Sequence, residues 1–238
     1  MSYNLNPDPP FEKAYTILRQ KEKRTYSDAQ VSKLPDIDPG HVHYNEWKIR
    51  KQSCTRLITY LKRKKKALKI LEVGCGNGWF SAKLSENSQA EIIGLDVNGV
   101  EIDQAANVFN KANLRFIHDG FPSERLTGLK FDIVLFAASI QYFASFPAVI
   151  NEALKHLTEG GEIHITDTPF YQAEELAGAA NRSKTYFAGL GQSEMVCYYH
   201  YHSINDLMMF NHKVLAKPRQ LFNRLCRKIK FPWVMIRC

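Results

Sequence analysis

The chain has 238 residues, of which 45% are hydrophobic and 24% charged, which fits one domain of moderate size with additions and excludes a disordered chain. Its formal net charge of +8 is unevenly placed: the final acidic residue is Asp206, and residues 207–238 carry eight basic side chains and no acidic one. The longest wholly apolar run, Ile133 to Ala138, is six residues and too short to span a bilayer. No apolar core follows a basic start at the N-terminus, and the five cysteines form neither a CxxC pair nor a disulfide framework, so a reduced, cytoplasmic protein is expected.

Five of the ten prolines fall in the first 39 residues, so residues 1–40 are expected to form an irregular arm around one polar helix near 11–24. Apolar residues at Trp47, Ile49, Leu57, Ile58 and Leu61 predict a helix over 46–60 that ends in the lysine run 62–66. From residue 68 short apolar runs alternate with helical stretches. Strands are predicted over 68–73, 91–96, 114–118, 131–137 and 161–166, with helices over 79–86, 99–111 and 146–157. Strands separated by helices imply parallel βαβ units and a doubly wound sheet with helices on both faces. The runs ILEV, IIGLDV and FDIVLF lack strict alternation, as strands buried on both faces should. Beyond Thr168 the pattern weakens: 173–180 and 204–210 look helical, 195–201 looks like a strand or ordered loop, and 231–236 looks like a closing edge strand. In the basic tail, Leu221, Phe222, Leu225 and Ile229 recur at helical spacing with Arg224, Arg227 and Lys228 between them. This predicts a helix packed on the sheet rather than a free tail for nucleic acid.

The strongest motif is Leu71-Glu72-Val73-Gly74-Cys75-Gly76-Asn77-Gly78, a strand running into a turn with glycine at every second position and then a helix. Glycines there let a ligand approach the backbone, and the helix N-terminus faces the gap. Asp96 ends the second strand, where a carboxylate can accept both hydroxyls of an adenosine ribose. A nicotinamide oxidoreductase would space its glycines G-x-G-x-x-G. Here the spacing is G-x-G-x-G with Glu72 two residues before the first glycine.

With that loop, GLDVN, HDGFP, FDIVLFAASIQYF and LKHLTEGGEIHITD in order, the chain resembles the class I S-adenosylmethionine-dependent methyltransferases, and within them the small-molecule group that includes enzymes of quinone precursors. The resemblance covers about residues 46–168. It implies a Rossmann-like α/β fold with a mostly parallel seven-stranded sheet whose last strand is antiparallel, plus helical lid segments. Residues 1–40 would be the arm or lid and 41–238 the cofactor domain, with a lid insertion at about 170–210. It implies S-adenosylmethionine as cofactor, with Gly74, Gly76 and Gly78 lining its methionine part beside Cys75, and Glu72 close by, through water or by holding the loop. Asp96 would bind the ribose, Val97 would pack on the adenine, and Asp119 would take the adenine amino group beside Gly120 and Phe121. Ala137 and Ala138 would lie near the donor methyl, and Tyr44 and Arg50 would fold over the cofactor, Arg50 facing the methionine carboxylate. For Asp119 the plainer reading is a turn residue, for Arg50 a surface residue, and for Cys75 a small residue of the loop.

Catalytic candidates are Asp167 at the end of the fifth strand, Tyr142 and His200. Where relatives carry a histidine after the fourth strand, this chain has Gln141, which cannot act as a base. His164 lies inside a strand and reads as a satisfied sheet histidine. His200 and His202 share a strand face, but no third ligand is fixed by spacing, so no metal is expected. The expected acceptor is a small organic molecule, with apolar or aromatic character to suit the tyrosines of 198–202. The alternatives are a nucleic-acid acceptor, suggested by the basic tail, a nicotinamide oxidoreductase, and a non-catalytic cofactor-binding module.

Overall fold

The computed structural model describes residues 9–218 and 230–237. The predicted helix over 221–229 and its basic residues therefore lie outside the described part. The elements run α1 (Pro9–Lys21), α2 (Asp28–Val31), α3 (Tyr44–Lys62), β1 (Lys69–Val73), α4 (Trp79–Leu84), β2 (Glu91–Asp96), α5 (Gly99–Val108), β3 (Leu114–His118), β4 (Phe131–Ala137), α6 (Phe146–Lys155), β5 (Leu157–Thr166), α7 (Leu176–Gly189), α8 (Ile204–Leu207), β6 (Asn211–Ala216) and β7 (Trp233–Arg237). The seven strands lie in the order β3-β2-β1-β4-β5-β7-β6. All run the same way except β7, which is antiparallel to both its neighbours. This is the doubly wound sheet that the alternating pattern predicts.

The central strands divide their side chains between two buried faces. Leu71, Val73, Leu95, Val134, Phe136, Ile163 and Ile165 pack with Phe146, Val149 and Ile150 of α6. Ile70, Ile92, Ile133 and Leu135 point the other way, onto Trp47 and Leu57 of α3 and Phe80 and Leu84 of α4. Successive residues of a strand face opposite sides. With both sides covered, neither can be polar, hence the unbroken apolar runs.

Two expectations for the last third are corrected. β7 is not the edge strand: it inserts between β5 and β6, and β6 closes the sheet. β6 has the sequence NHKVLA, whose burial alternates as on a sheet edge, too weak a signal beside buried runs. The 195–201 stretch is not a strand; a 3-10 helix, Ser193–Tyr198, occupies most of it. A third apolar cluster stands apart from the sheet. Phe11, Ala14 and Leu18 of α1 pack with Phe187 of α7 and Met195, and Val97 and Tyr142 join them to the carboxyl edge of the sheet.

Glu162 and His164 are charged or polar residues in the middle of β5, and both are buried. Glu162 accepts from Tyr60, Arg237 and Lys64, and His164 pairs with Glu162 and takes the Trp233 indole N–H at 3.0 Å. A buried carboxylate is tolerated when it is so fully paired. His164 is the satisfied sheet histidine its position suggests.

Candidate active site

At the carboxyl ends of β1, β2, β4 and β5 the chain leaves two adjoining cavities. One, of about 80 Å³, is lined by Phe11, Leu95, Asp96, Val97, Asp119 and Phe121, among others. The other, of about 330 Å³, reaches from Glu72 and Asn77 past Ala137, Gln141 and Asp167 to Tyr186 and Tyr199. Tyr15, Gly74, Gly76, Ala138 and Tyr142 line both, so the two share a wall.

The glycine loop folds as it does because three of its backbone positions are left-handed: φ is +74° at Gly74, +52° at Gly76 and +72° at Gly78. At Gly74 a Cβ would lie 2.4 Å from that of Ser139 at the end of β4. Only glycine lets the β1 and β4 ends come that close. Gly78 serves a different purpose. It is absent from both cavity walls, and a Cβ there would meet the Phe116 ring at 2.5 Å and Ala105 at 2.8 Å. It packs α4 against β3 and α5. Cys75 is buried, its sulfur lies against Gly94, and burial raises its thiol's pKa, consistent with a small residue of the loop.

The two acids of the motif are wired differently. Asp96 accepts from the Gly76 amide at 2.7 Å and the Asn98 amide at 2.8 Å, so it holds the loop as well as facing the smaller cavity. Burial pushes its pKa up, with those amides pulling the other way. Glu72 is buried and accepts from Ser81 of α4; burial raises its pKa to about 8 despite that bond. Asp119 faces the smaller cavity while accepting from the Gly120 amide at 2.8 Å and Ser123 Oγ at 2.6 Å, so the turn role is real too. Gly120 itself lines neither cavity, and Phe121 belongs to the sheet core as well as to the wall.

Above the larger cavity, Arg24 and Arg50 both hydrogen-bond the Glu46 carboxylate, and Arg50 lies over the Trp47 ring at 5.3 Å. Burial acts against ionised Glu46, but the Arg24 hydrogen bond and the Arg50 charge outweigh it and bring its pKa down to about 2. Arg50 is thus in the wall, though its Nε is engaged by Glu46. Tyr44, the first residue of α3, lines neither cavity.

Of the catalytic candidates, Asp167 and Tyr142 face the larger cavity and His200 does not. Asp167 has φ +58°, and Ser53 Oγ donates to its Oδ1 at 2.6 Å. Burial raises its pKa to about 6 against the Ser53 bond and the Arg50 and Arg56 charges. Burial likewise holds the Tyr142 phenol up at about 12. His200 gives its backbone N–H to Gln141 O at 2.8 Å, and His202 turns its Nε2 to Ile140 O at 3.0 Å. The Gln141 side chain donates to Ala138 O and accepts from Thr168 Oγ1, bracing the ends of β4 and β5.

Sequence reasoning missed Arg19, Arg24, Glu46, Ser53, Glu101 and Tyr186. For Glu101 a signal existed but pointed elsewhere: Asn98-x-x-Glu101 reads as a helix capping pair. Asn98 does cap α5 by accepting from the Glu101 amide at 3.1 Å. The return bond is not made, because the Asn98 N–H is held by Asp96, and the Glu101 carboxylate turns to the cavity.

A family model described as a methyltransferase domain matches residues 64–217. The chain belongs to that family. It is thereby a class I S-adenosylmethionine-dependent methyltransferase by family, as the glycine spacing and the ordered motifs imply. A malonyl-[acyl-carrier protein] O-methyltransferase of Acetivibrio thermocellus is 28% identical over 138 residues, 55% of this chain and 48% of that protein. A tRNA U34 carboxymethyltransferase of Campylobacter fetus subsp. fetus is 31% identical over 109 residues, 44% of this chain and 38% of that protein. These matches span less than half the length of either relative. Among solved structures, the plantazolicin methyltransferase BpumL in complex with SAH superposes with a TM-score of 0.58 at 14% identity, covering 93% of this chain and 99% of that one. Magnesium protoporphyrin IX methyltransferase of Synechocystis PCC 6803 gives 0.57 at 13% identity, covering 94% and 92%. At such identities these two likenesses speak for the fold. Among the described residues, no helix is long and apolar enough to cross a membrane.

Proposed function

We propose that this methyltransferase acts on a small organic acceptor of partly aromatic character. The observation that carries the reading is the larger cavity: at about 330 Å³ it has the size of a small-molecule site and is roofed by Tyr15, Tyr186, Phe187 and Tyr199. The residues fit S-adenosylmethionine. Gly74 and Gly76 present bare backbone to the wall that both cavities share, Asp96 and Asp119 have acceptor capacity left toward the smaller cavity, and Val97 offers an apolar face there. In this reading Asp96, Val97, Asp119 and Phe121 hold the adenosine, and Gly74, Gly76, Ala137, Ala138 and Arg50 border the methionine side. Cys75, Gly78 and Gly120 shape the backbone, and Tyr44 supports α3.

When bound, the cofactor supplies a methyl group already activated for displacement. The protein has to orient the acceptor, and positioning alone supplies roughly 7–11 kcal/mol. Tyr142 stays protonated at neutral pH and serves as a donor or an apolar edge. Asp167 is ionised above about pH 6, and Ser53 occupies its Oδ1, which leaves Oδ2 to take a proton from an acceptor hydroxyl or amine. His200 has no part in this, and Gln141 positions the strand ends.

The test is a transfer assay with methyl-labelled cofactor against small hydroxy-, amino- and carboxy-aromatic compounds, with total tRNA in parallel. Label in the small-molecule fraction is expected. Label in tRNA, the substrate class in the Campylobacter relative's name, would replace this reading with a nucleic-acid one. Asp167→Asn should lower kcat by roughly 10²–10⁴-fold for a protonated acceptor and remove the rise in rate as pH passes through about 6.

A further inference from the structure

The α1 helix of the arm docks on the start of α5 along one face. Glu12 Oε1 accepts from the Gly99 amide at 2.8 Å, and Asn98 Nδ2 donates to Thr16 Oγ1 at 3.2 Å. Arg19 is next on that face, seven residues after Glu12, and Glu101 is next on α5. Yet the ladder stops there. Glu101 Oε2 and Arg19 Nε are both buried, and neither has a hydrogen-bond partner. Arg19 keeps an ion pair to Glu22 at 3.6 Å and lies over the Tyr15 ring at 5.6 Å, but its Nε has no acceptor and Glu101 Oε2 has no donor; buried polar atoms left so are costly and call for a ligand.

Both side chains line the larger cavity and neither lines the smaller one. Glu101 Oε2 lies against the glycine loop, 3.1 Å from where a Cβ of Gly76 would be. This is where the two cavities share a wall, beside the carboxylate of Asp96 on the other side. Other charges face the pair: Arg50, engaged by Glu46, and Glu22, which is 3.6 Å from the Arg19 Nη1.

We infer that Glu101 and Arg19 form a cradle for an α-amino-acid zwitterion, the methionine end of S-adenosylmethionine, with Glu101 receiving the ammonium and Arg19 the carboxylate. The inference rests on the cofactor assignment above and adds to it two residues of this chain. Arg19 lies outside the family-matched stretch, so the arm acts on the cofactor as well as on the acceptor. The burial that pushes the Glu101 pKa up, with Arg19 opposing, agrees with a carboxylate awaiting a cation.

The test is calorimetry of the full chain with S-adenosylhomocysteine and with 5′-methylthioadenosine, which has the same adenosine thioether but no amino-acid end. The wild type should prefer S-adenosylhomocysteine. Glu101→Gln and Arg19→Gln should each weaken S-adenosylhomocysteine by about 10-fold or more, as expected for a charge-assisted hydrogen bond, and leave 5′-methylthioadenosine unchanged. Glu101→Asp should recover part of the loss. Equal weakening of both compounds would overturn the cradle in favour of simple α1–α5 packing, and unchanged affinity for both would overturn it outright. If the wild type binds both equally the cradle fails and the cofactor assignment survives; if it binds neither, the cofactor assignment itself fails. Circular dichroism and melting of each variant separate these outcomes from misfolding.

Discussion

The floor and the roof of the larger cavity are held by different physics. The floor is the carboxyl edge of the sheet. Its acids, Glu72 and Asp167, are buried and accept from Ser81 and Ser53, and burial raises both pKa values, to about 8 and about 6. The roof is built from α1, α3 and α7. Its central acid, Glu46, is gripped by Arg24 and Arg50 and lowered to about 2. The floor is fixed by strand pairing and apolar packing, and burial makes its acids hold their protons more tightly than usual. The roof adds to apolar packing, of α3 on the sheet and of α1 on α7, charge pairs and ties between distant segments, such as Lys21 Nζ to Gly191 O at 3.0 Å and Tyr186 to Glu22.

The largest effect expected from this difference is a pair of opposite pH dependences in the ligand-free protein. Glu72 binds its proton more tightly folded than unfolded, so its contribution favours folding at pH 4.5 and is lost as pH rises toward about 8, by up to about 1.4 kcal/mol per unit. Glu46 does the reverse: its contribution is present above pH 4.5 and is lost as pH falls toward about 2. Melting curves should show that Glu72→Gln flattens the decline between pH 5 and 8 and that Glu46→Gln flattens the acid limb. If each variant changed the other limb, the division between floor and roof would be wrong.

Next in size is Gly74→Ala. The left-handed backbone and the approach to Ser139 together should cost about 3 kcal/mol and lower Tm by roughly 6–12 °C, with loss of cofactor affinity. Asp96→Asn keeps the side chain's shape but can accept from only one of the Gly76 and Asn98 amides, so it should weaken S-adenosylhomocysteine by about 1.5–3 kcal/mol and lower Tm modestly. Asp96→Ala strands both amides, so it should lower Tm further. A stable Gly74→Ala protein that binds as the wild type does would show that the floor has slack its geometry denies.

The same division explains what could be read in the sequence. The floor's residues stand at strand ends, where short-range pattern fixes both the element and the position: β2, β3 and β4 fall on the predicted residues, and Gly74, Asp96, Ala138 and Asp167 all face the cavities. The roof depends on partners far apart in the chain. Tyr186 meets Glu22 across 164 positions, and no local period announces such a pair. His200 shows the same limit: the aromatic string predicts a strand or ordered loop, whereas a 3-10 helix ends there, the His200 N–H goes to Gln141 O, and the residue stays out of the cavity walls. Glu101 was hidden by its resemblance to a helix cap, and its freedom becomes visible only when Asp96 is seen to hold the Asn98 amide.

The smallest effect sharpens the comparison most. Tyr186→Phe removes the hydroxyl that α7 gives to Glu22, a half-exposed link between the two sides of the roof. Its loss should cost about 1 kcal/mol, too little to move Tm by more than roughly 2–4 °C. That same 1 kcal/mol, expressed locally, raises the open population of the arm about fivefold. Hydrogen exchange should therefore speed up by that factor in the amides of α1 and α7 while those of β1 and β4 keep their protection. The contrast matters more than the size. The Phe11–Leu18–Phe187 cluster is separate from the sheet's own two clusters, which is what allows the roof to loosen alone. Should the β1 amides accelerate equally, the roof and the sheet would be one cooperative unit, and ligand exchange would have to proceed through a different opening than the arm.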